Sequence, residues 1–253
     1  MKTSTEGITG NLSLWKVLLL IFIPPSLLMV AYALAGYMLQ DTIPSLLLFY
    51  FLALSILFPI QLLAIFIASK EEYGSYSPRS AFSNYQKLDW WKIVLYGALL
   101  WGFAGLMTVT IAPLENMLFS PVSERLSSII PPYFDWTNIE DLQQYSSNIL
   151  MLTCVMYLIL NGFIGPVVEE LFFRGYLTTK ISRFGKYAPF IVTILFSLYH
   201  FWSPYSNLFR IIAFYPAFYL AWRMKNIYIA IVFHVLGNVT SSIGFIVAVS
   251  AFL

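Results

Sequence analysis

Polar residues along this chain are confined to short intervals between apolar runs at 14–39, 45–69, 92–112, 148–165 and beyond, 187–202, 208–222 and 227–252. A helix crossing the ~30 Å hydrocarbon core of a bilayer needs about 20 residues. All seven runs are read as spans, although 187–202 and 208–222 are short for a full crossing. The pattern predicts an all-α, polytopic membrane protein with about seven transmembrane helices around an intramembrane cavity.

Charge in the intervals orients this arrangement. With the N-terminus inside, twelve of the fourteen Lys and Arg residues, Lys2 among them, fall on the inner side, leaving Arg125 and Arg210 outside. Such a positive-inside bias puts the C-terminus outside. No small-residue cleavage site follows the first run, which is expected to stay as a helix. The longest gap, 115–146, carries Glu115, Glu124, Asp135, Glu140 and Asp141, and its Pro131–Pro132 and aromatic residues suggest an ordered external cap, with a plain linker the equal alternative. The chain divides accordingly into 1–146, the N-terminal membrane helices and external loop, and 147–253, a membrane core that carries the chemistry.

Composition agrees: 59% of residues are hydrophobic and 10% charged, against about 25% charged in soluble domains. A net charge of +2, spread over loops, gives no nucleic-acid surface. Cys154 is the single cysteine, which excludes an internal disulfide and a thiolate metal cluster, and it reads as a small buried hydrophobe.

The stretch 148–184 is too long for one simple crossing, and Gly165–Pro166 is expected to divide it. Glu169 and Glu170 would then lie in the first turn of the second piece, where the helix dipole favours carboxylates. Glu170 and Arg174 are i, i+4 neighbours that neutralise one another, while Glu169, rotated by about 100°, stays free. Phe196 and His200 share a helix face, as do His234 and Asn238. These are the only two histidines, and with the Glu pair they are the ionisable groups expected deep in the spans. Each such group costs roughly 2.5–3.5 kcal/mol at a bilayer centre, so a chain that keeps several there is expected to use them.

Counting from a hairpin turn at 184–186, Glu169 and His200 both lie about 23 Å from the turn at 1.5 Å per residue, whereas His234 lies roughly 13 Å beyond the basic turn 223–225. A free carboxylate near an imidazole in a low-dielectric cavity is suited to activating water. A second His beside an Asn supplies donors for an oxyanion. Together they suggest amide hydrolysis.

The sequence Glu169–Glu170–Leu171–Phe172–Phe173–Arg174 fits EExxxR, Phe196 to His200 fits FxxxH, and His234 to Asn238 fits HxxxN. In that order the chain resembles, over about 148–242, the CPBP intramembrane proteases, also called the CAAX protease and bacteriocin-processing or Abi family, which includes the eukaryotic CAAX prenyl endopeptidase. The resemblance implies that Glu169 and His200 activate the hydrolytic water and that His234 and Asn238 hold the oxyanion. Glu170 and Arg174 would support the site and Phe196 would wall it. It also implies a peptide or a lipidated, membrane-anchored protein as substrate, with membrane lipid around it, and the short loops favour the cytoplasmic membrane of a bacterium.

No cofactor is expected. A zinc ion held by Glu169, His200 and His234 is the alternative, although HExxH spacing is absent. Two other functional classes fit single features: a non-catalytic immunity or peptide-binding membrane protein, and a proton-coupled transporter, which would call for repeats and ionisable residues in the first half.

Overall fold

The computed structural model describes residues 11–136 and 138–253; Met1 to Gly10, with the inner-side assignment of Lys2, lie outside the described residues. Among the described residues five helices are long and apolar enough to cross a membrane: α1 (Leu14–Leu39), α2 (Ser45–Tyr73), α3 (Trp90–Ser127), α4 (Ser147–Lys180) and α7 (Tyr228–Phe252). Between α4 and α7 stand two shorter helices, α5 (Ala188–Leu198) and α6 (Asn207–Arg223). The fold is all-helical among the described residues. The runs 187–202 and 208–222 are therefore not two full spans: α5 has only 11 residues, about 17 Å at 1.5 Å per residue. The pair forms a hairpin in which α6 packs against α3 and α7, and α5 packs against α6 and the later part of α4.

Local sequence explains the ends of these helices. The Ser13 side chain accepts the Lys16 N–H at the start of α1. Gly74, at φ 77°, closes α2 in the left-handed conformation that glycine adopts at least cost. Helix α3 comes close to α7 because Gly97 lacks a side chain; a Cβ there would meet a Val232 methyl at 2.5 Å.

Two sequence expectations fail here for stated reasons. Gly165–Pro166 does not divide the fourth run, because α4 is continuous from Ser147 to Lys180. Two wide π-helical turns, Leu158–Ile164 and Glu170–Leu177, shift the hydrogen-bond frame around the proline, and the Gly165 N–H reaches back to Leu160. Such local adjustments satisfy the groups that a membrane proline frees. Glu169 and Glu170 consequently sit in the middle of a helix, not at its dipolar start.

The third helix also outruns its apolar stretch and continues through Pro113 and Pro121 to Ser127. Glu115, expected in an external loop, is instead 1% exposed. Its Oε1 accepts the Leu208 N–H at 2.7 Å and its Oε2 the Phe209 N–H at 2.6 Å. Ser206, the residue preceding α6, offers no side-chain cap, so a carboxylate from α3 satisfies the open N–H groups and the positive end of that helix. Glu115→Ala is expected to lower stability by about 2 kcal/mol through two unsatisfied buried donors. Thermal unfolding in detergent checks this, with Glu115→Gln expected in between.

The segment after α3 folds over α1 and α2, as an ordered cap should. Trp136 donates to the Tyr32 hydroxyl at 2.8 Å, and Tyr133 to the Ile43 carbonyl at 2.9 Å.

Candidate active site

Because Glu169 and Glu170 are consecutive on α4, they face different partners. The Tyr199 hydroxyl donates to Glu169 Oε1, and His234 Nε2 lies 3.7 Å from Glu169 Oε2. Glu170, with no exposed surface, accepts His234 Nδ1 on Oε1 at 2.8 Å and holds Arg174 Nε at 3.0 Å from Oε2. Glu169 is thus not the free carboxylate of the sequence reading. The expected Glu170 and Arg174 pair is present, but Glu170 serves His234 as well.

Arg174 is held by more than charge. Its guanidinium carbon lies 3.0 Å from the Phe218 ring centroid and 4.0 Å from that of Phe196, while its terminal nitrogens find no hydrogen-bond acceptor among the described residues. Aromatic faces take the place of acceptors on both sides. Phe196 is fully buried and its ring also packs edge-on against His200, at 4.7 Å, and His234, at 5.9 Å. This residue joins the arginine and both imidazoles.

His200 lies just past the end of α5, where its Nδ1 is 2.6 Å from the Phe196 carbonyl. A carbonyl only accepts, so Nδ1 carries the proton and Nε2 is left as an acceptor. Among the described residues no ion pair joins His200 to Glu169; the histidine beside Glu169 is His234. His234 is therefore not shallower than the other groups. The count from the turns assumed a uniform rise, and the wide turns of α4 take up more chain for the same depth.

On α7, one turn beyond His234, the Asn238 amide donates to the Asn161 carbonyl at 3.0 Å. Asn161 returns a bond to the Asn238 carbonyl at 3.2 Å, reaches Ser242 Oγ at 3.0 Å, and accepts the Tyr50 hydroxyl at 2.7 Å. The Asn238 amide also makes a longer contact with Asn161 Oδ1 at 3.4 Å, so both of its acceptors belong to Asn161 on α4.

Glu169, Phe196, His200, His234 and Asn238 all line one cavity of about 380 Å³. Tyr50 and other α2 residues, Trp136 of the cap and Arg210 of α6 complete its wall. The volume falls in the usual range of ligand pockets. The zinc set of the sequence reading is not assembled: no three His, Cys, Asp or Glu side chains among the described residues are gathered to hold a metal ion.

Sequence reasoning missed Tyr199, Asn161, Glu115 and the burial of Arg210. Tyr199 could have been noticed as the neighbour of His200, and Asn161 as the polar residue of the run that bears the Glu pair. Arg174, Arg210 and Lys180, counted as charges of the intervals, are 6%, 8% and 4% exposed, and Lys180 pairs with Glu72.

The type II CAAX prenyl endopeptidase Rce1-like family model matches residues 151–240, the segment that carries all three motifs. Neither the curated proteins nor the solved structures yield a match to this chain. The family match and the five membrane-length helices converge: this chain is an integral membrane protein whose segment 151–240 is similar to the type II CAAX prenyl endopeptidases.

Proposed function

We propose that this chain hydrolyses a peptide bond of a membrane-associated peptide or protein tail, with Glu169 as the general base for water. The observation that carries the reading is the gathering of Glu169, His200, His234 and Asn238 on one cavity. Glu169 is aimed by the Tyr199 hydroxyl, and His200 Nε2 offers a second acceptor to the same water. His234, with Nδ1 fixed by Glu170, presents Nε2 to the substrate side. Together with the Asn238 amide, once it gives up its longer contact with Asn161 Oδ1, it would face the oxyanion of the tetrahedral intermediate.

Charge balance favours this division of labour. Arg174 offsets Glu170, and one proton held between Glu169 and His234 makes the buried set neutral. A neutral set costs far less to bury than an unpaired charge. As Glu169 takes a proton from water, an imidazolium at His234 is in place to stabilise the oxyanion and then to protonate the leaving amine. Protein groups alone supply each step, without a cofactor.

The test is cleavage of membrane-anchored reporter peptides by the purified chain in proteoliposomes, with products identified by mass spectrometry. His200→Ala is expected to lower kcat about 100-fold with little change in KM, as befits loss of a proton acceptor. Activity is expected to survive exhaustive chelation. A wild-type rate for His200→Ala would remove that residue from the mechanism, and activity lost to the chelator and restored by zinc would reassign the water to a metal.

The substrate is expected to be lipidated or otherwise anchored, and the membrane to be the bacterial cytoplasmic one, with the N-terminus inside and the C-terminus outside. Five crossings plus one hairpin returning to its own side have the same parity as seven spans and put the termini on opposite faces; the positive-inside bias then supports an inner N-terminus.

A further inference from the structure

A second cavity, of about 300 Å³, lies where α4, α6 and the interval before α3 meet, and it shares no lining residue with the catalytic cavity. Arg174, Arg223 and Lys225 line it, and no Asp or Glu does. Arg174, 6% exposed, belongs to its inner wall, whereas Arg223 and Lys225 are exposed on the basic turn that ends α6. Among the described residues neither Arg223 nor Lys225 has a carboxylate within 4.0 Å.

Arg174 brings unmet hydrogen-bond donors to this wall. Its Nε faces Glu170, and the rings of Phe196 and Phe218 cover its guanidinium plane. The N–H donors of Nη1 and Nη2 lie in that plane and find no acceptor among the described residues. Buried donors left unmet are costly, so a ligand that brings oxygens to this wall recovers part of that cost. A guanidinium fork matches the paired oxygens of a carboxylate or a phosphate. Three cations around one cavity favour the phosphate, which has oxygens for all of them.

The cations at the mouth are held in place by the backbone. Lys225 has φ 52°, a left-handed conformation uncommon for a residue with a side chain. Its carbonyl accepts the Gln86 N–H at 2.7 Å, and the fully buried Asn226 donates to the Gln86 carbonyl at 2.9 Å. The basic turn is thereby tied to the interval before α3. Tyr85 and Trp222 also line the cavity, and exposed Trp90 and Trp91 follow at the start of α3. Such aromatic residues mark the membrane–water interface, and basic pockets between helices at that level suit phosphate headgroups.

We infer that this cavity binds a phosphate group at the membrane surface, with Arg223 and Lys225 at its mouth and the Arg174 fork at its inner wall. An anionic phospholipid headgroup or a small soluble phosphate ester carries that group. The inference does not rest on the hydrolytic reading. It does link the two cavities, because Arg174 pairs with Glu170, the carboxylate that fixes His234.

Native mass spectrometry of the whole chain, released from neutral detergent with phosphatidylglycerol and phosphatidylcholine at equal concentration, reads the lipid arm. One phosphatidylglycerol per chain is expected to be retained, about tenfold more tightly than phosphatidylcholine, the scale of two cations near the surface. Thermal unfolding with glycerol phosphate or inorganic phosphate reads the soluble arm, since a ligand of the folded chain raises the midpoint. A lipid preference without a soluble shift identifies a headgroup, and a soluble shift without a lipid preference identifies a soluble phosphate. Where both respond, the tighter ligand names the source. Absence of both responses overturns the inference.

Arg223→Gln combined with Lys225→Asn, asparagine being tolerated at a left-handed φ, is expected to weaken the binding about tenfold. Lys87→Gln combined with Lys186→Gln removes two exposed cations that do not line the cavity and should leave it within about twofold. Equal weakening by both pairs makes the attraction a property of the whole surface, and the inference falls. Arg174→Lys keeps a cation for Glu170 without the fork and is expected to weaken the binding as well. A folded Arg174→Lys that binds like the wild type also overturns the site. Where a variant does not fold, the comparison of lipids and phosphates on the wild-type chain decides alone.

Discussion

Glu169→Gln is expected to abolish measurable peptide hydrolysis, lowering kcat by about 1,000-fold or more, at the upper part of the range for a lost general base. The substitution is nearly isosteric. A Gln carbonyl still accepts the Tyr199 hydroxyl that now meets Glu169 Oε1, and its amide faces His234 Nε2, 3.7 Å from the present Oε2. Folding and substrate binding should therefore persist, while no group at that place can take a proton from water. Cleavage products counted by mass spectrometry, together with peptide binding by the same variant, separate the readings. A protein that acts only by binding a peptide keeps its cellular phenotype after Glu169→Gln, whereas a protease loses it. Hydrolysis at the wild-type rate by the variant would remove Glu169 from the chemistry.

Much of this site is legible in the sequence because its residues sit at helical spacing. Phe196 with His200, His234 with Asn238 and Glu170 with Arg174 each lie one turn apart, and each pair shares a helix face however the helices pack. The apolar runs locate the five long helices within a few residues, except at the far end of α3. There Pro113, Glu115, Pro121 and Glu124 read as loop. The partners that keep that stretch helical and buried are N–H groups of α6, more than 90 positions away. A local pattern holds no trace of them.

Continuity through Pro166 is hidden for a related reason, since proline signals a break and nothing in the residue pattern announces the wide turn that absorbs it. The same wide turns defeat depth counting, which is why His234 is read as shallow yet stands beside Glu169. Which acid meets which histidine depends on rotations of α4, α5 and α7 that spacing within each helix does not contain. Tyr199 is the clearest case. As an aromatic residue in an apolar helix it looks like packing, and only the approach of α4 makes its hydroxyl a partner of Glu169.

Glu170→Ala is expected to be the most damaging single change to stability, at about 3–5 kcal/mol, the cost of removing one member of a buried ion pair. Glu170 is the one carboxylate within 4.0 Å of Arg174 among the described residues, and it also fixes His234 Nδ1. Its loss leaves a guanidinium between Phe218 and Phe196 with no counter-ion, and cation–π contacts recover only about 2 kcal/mol of such a deficit. The guanidinium cannot shed its proton to escape, so the helices must part or admit water. Removing both charges tests this cause. Glu170→Leu combined with Arg174→Leu should unfold at a higher temperature than Glu170→Leu alone, because the double variant buries no orphan charge. It should still hydrolyse poorly, since His234 has lost the carboxylate that orients it. If the double variant is less stable than either single one, the pair stabilises the fold in its own right, and the balance of desolvation against attraction tips the other way at this site.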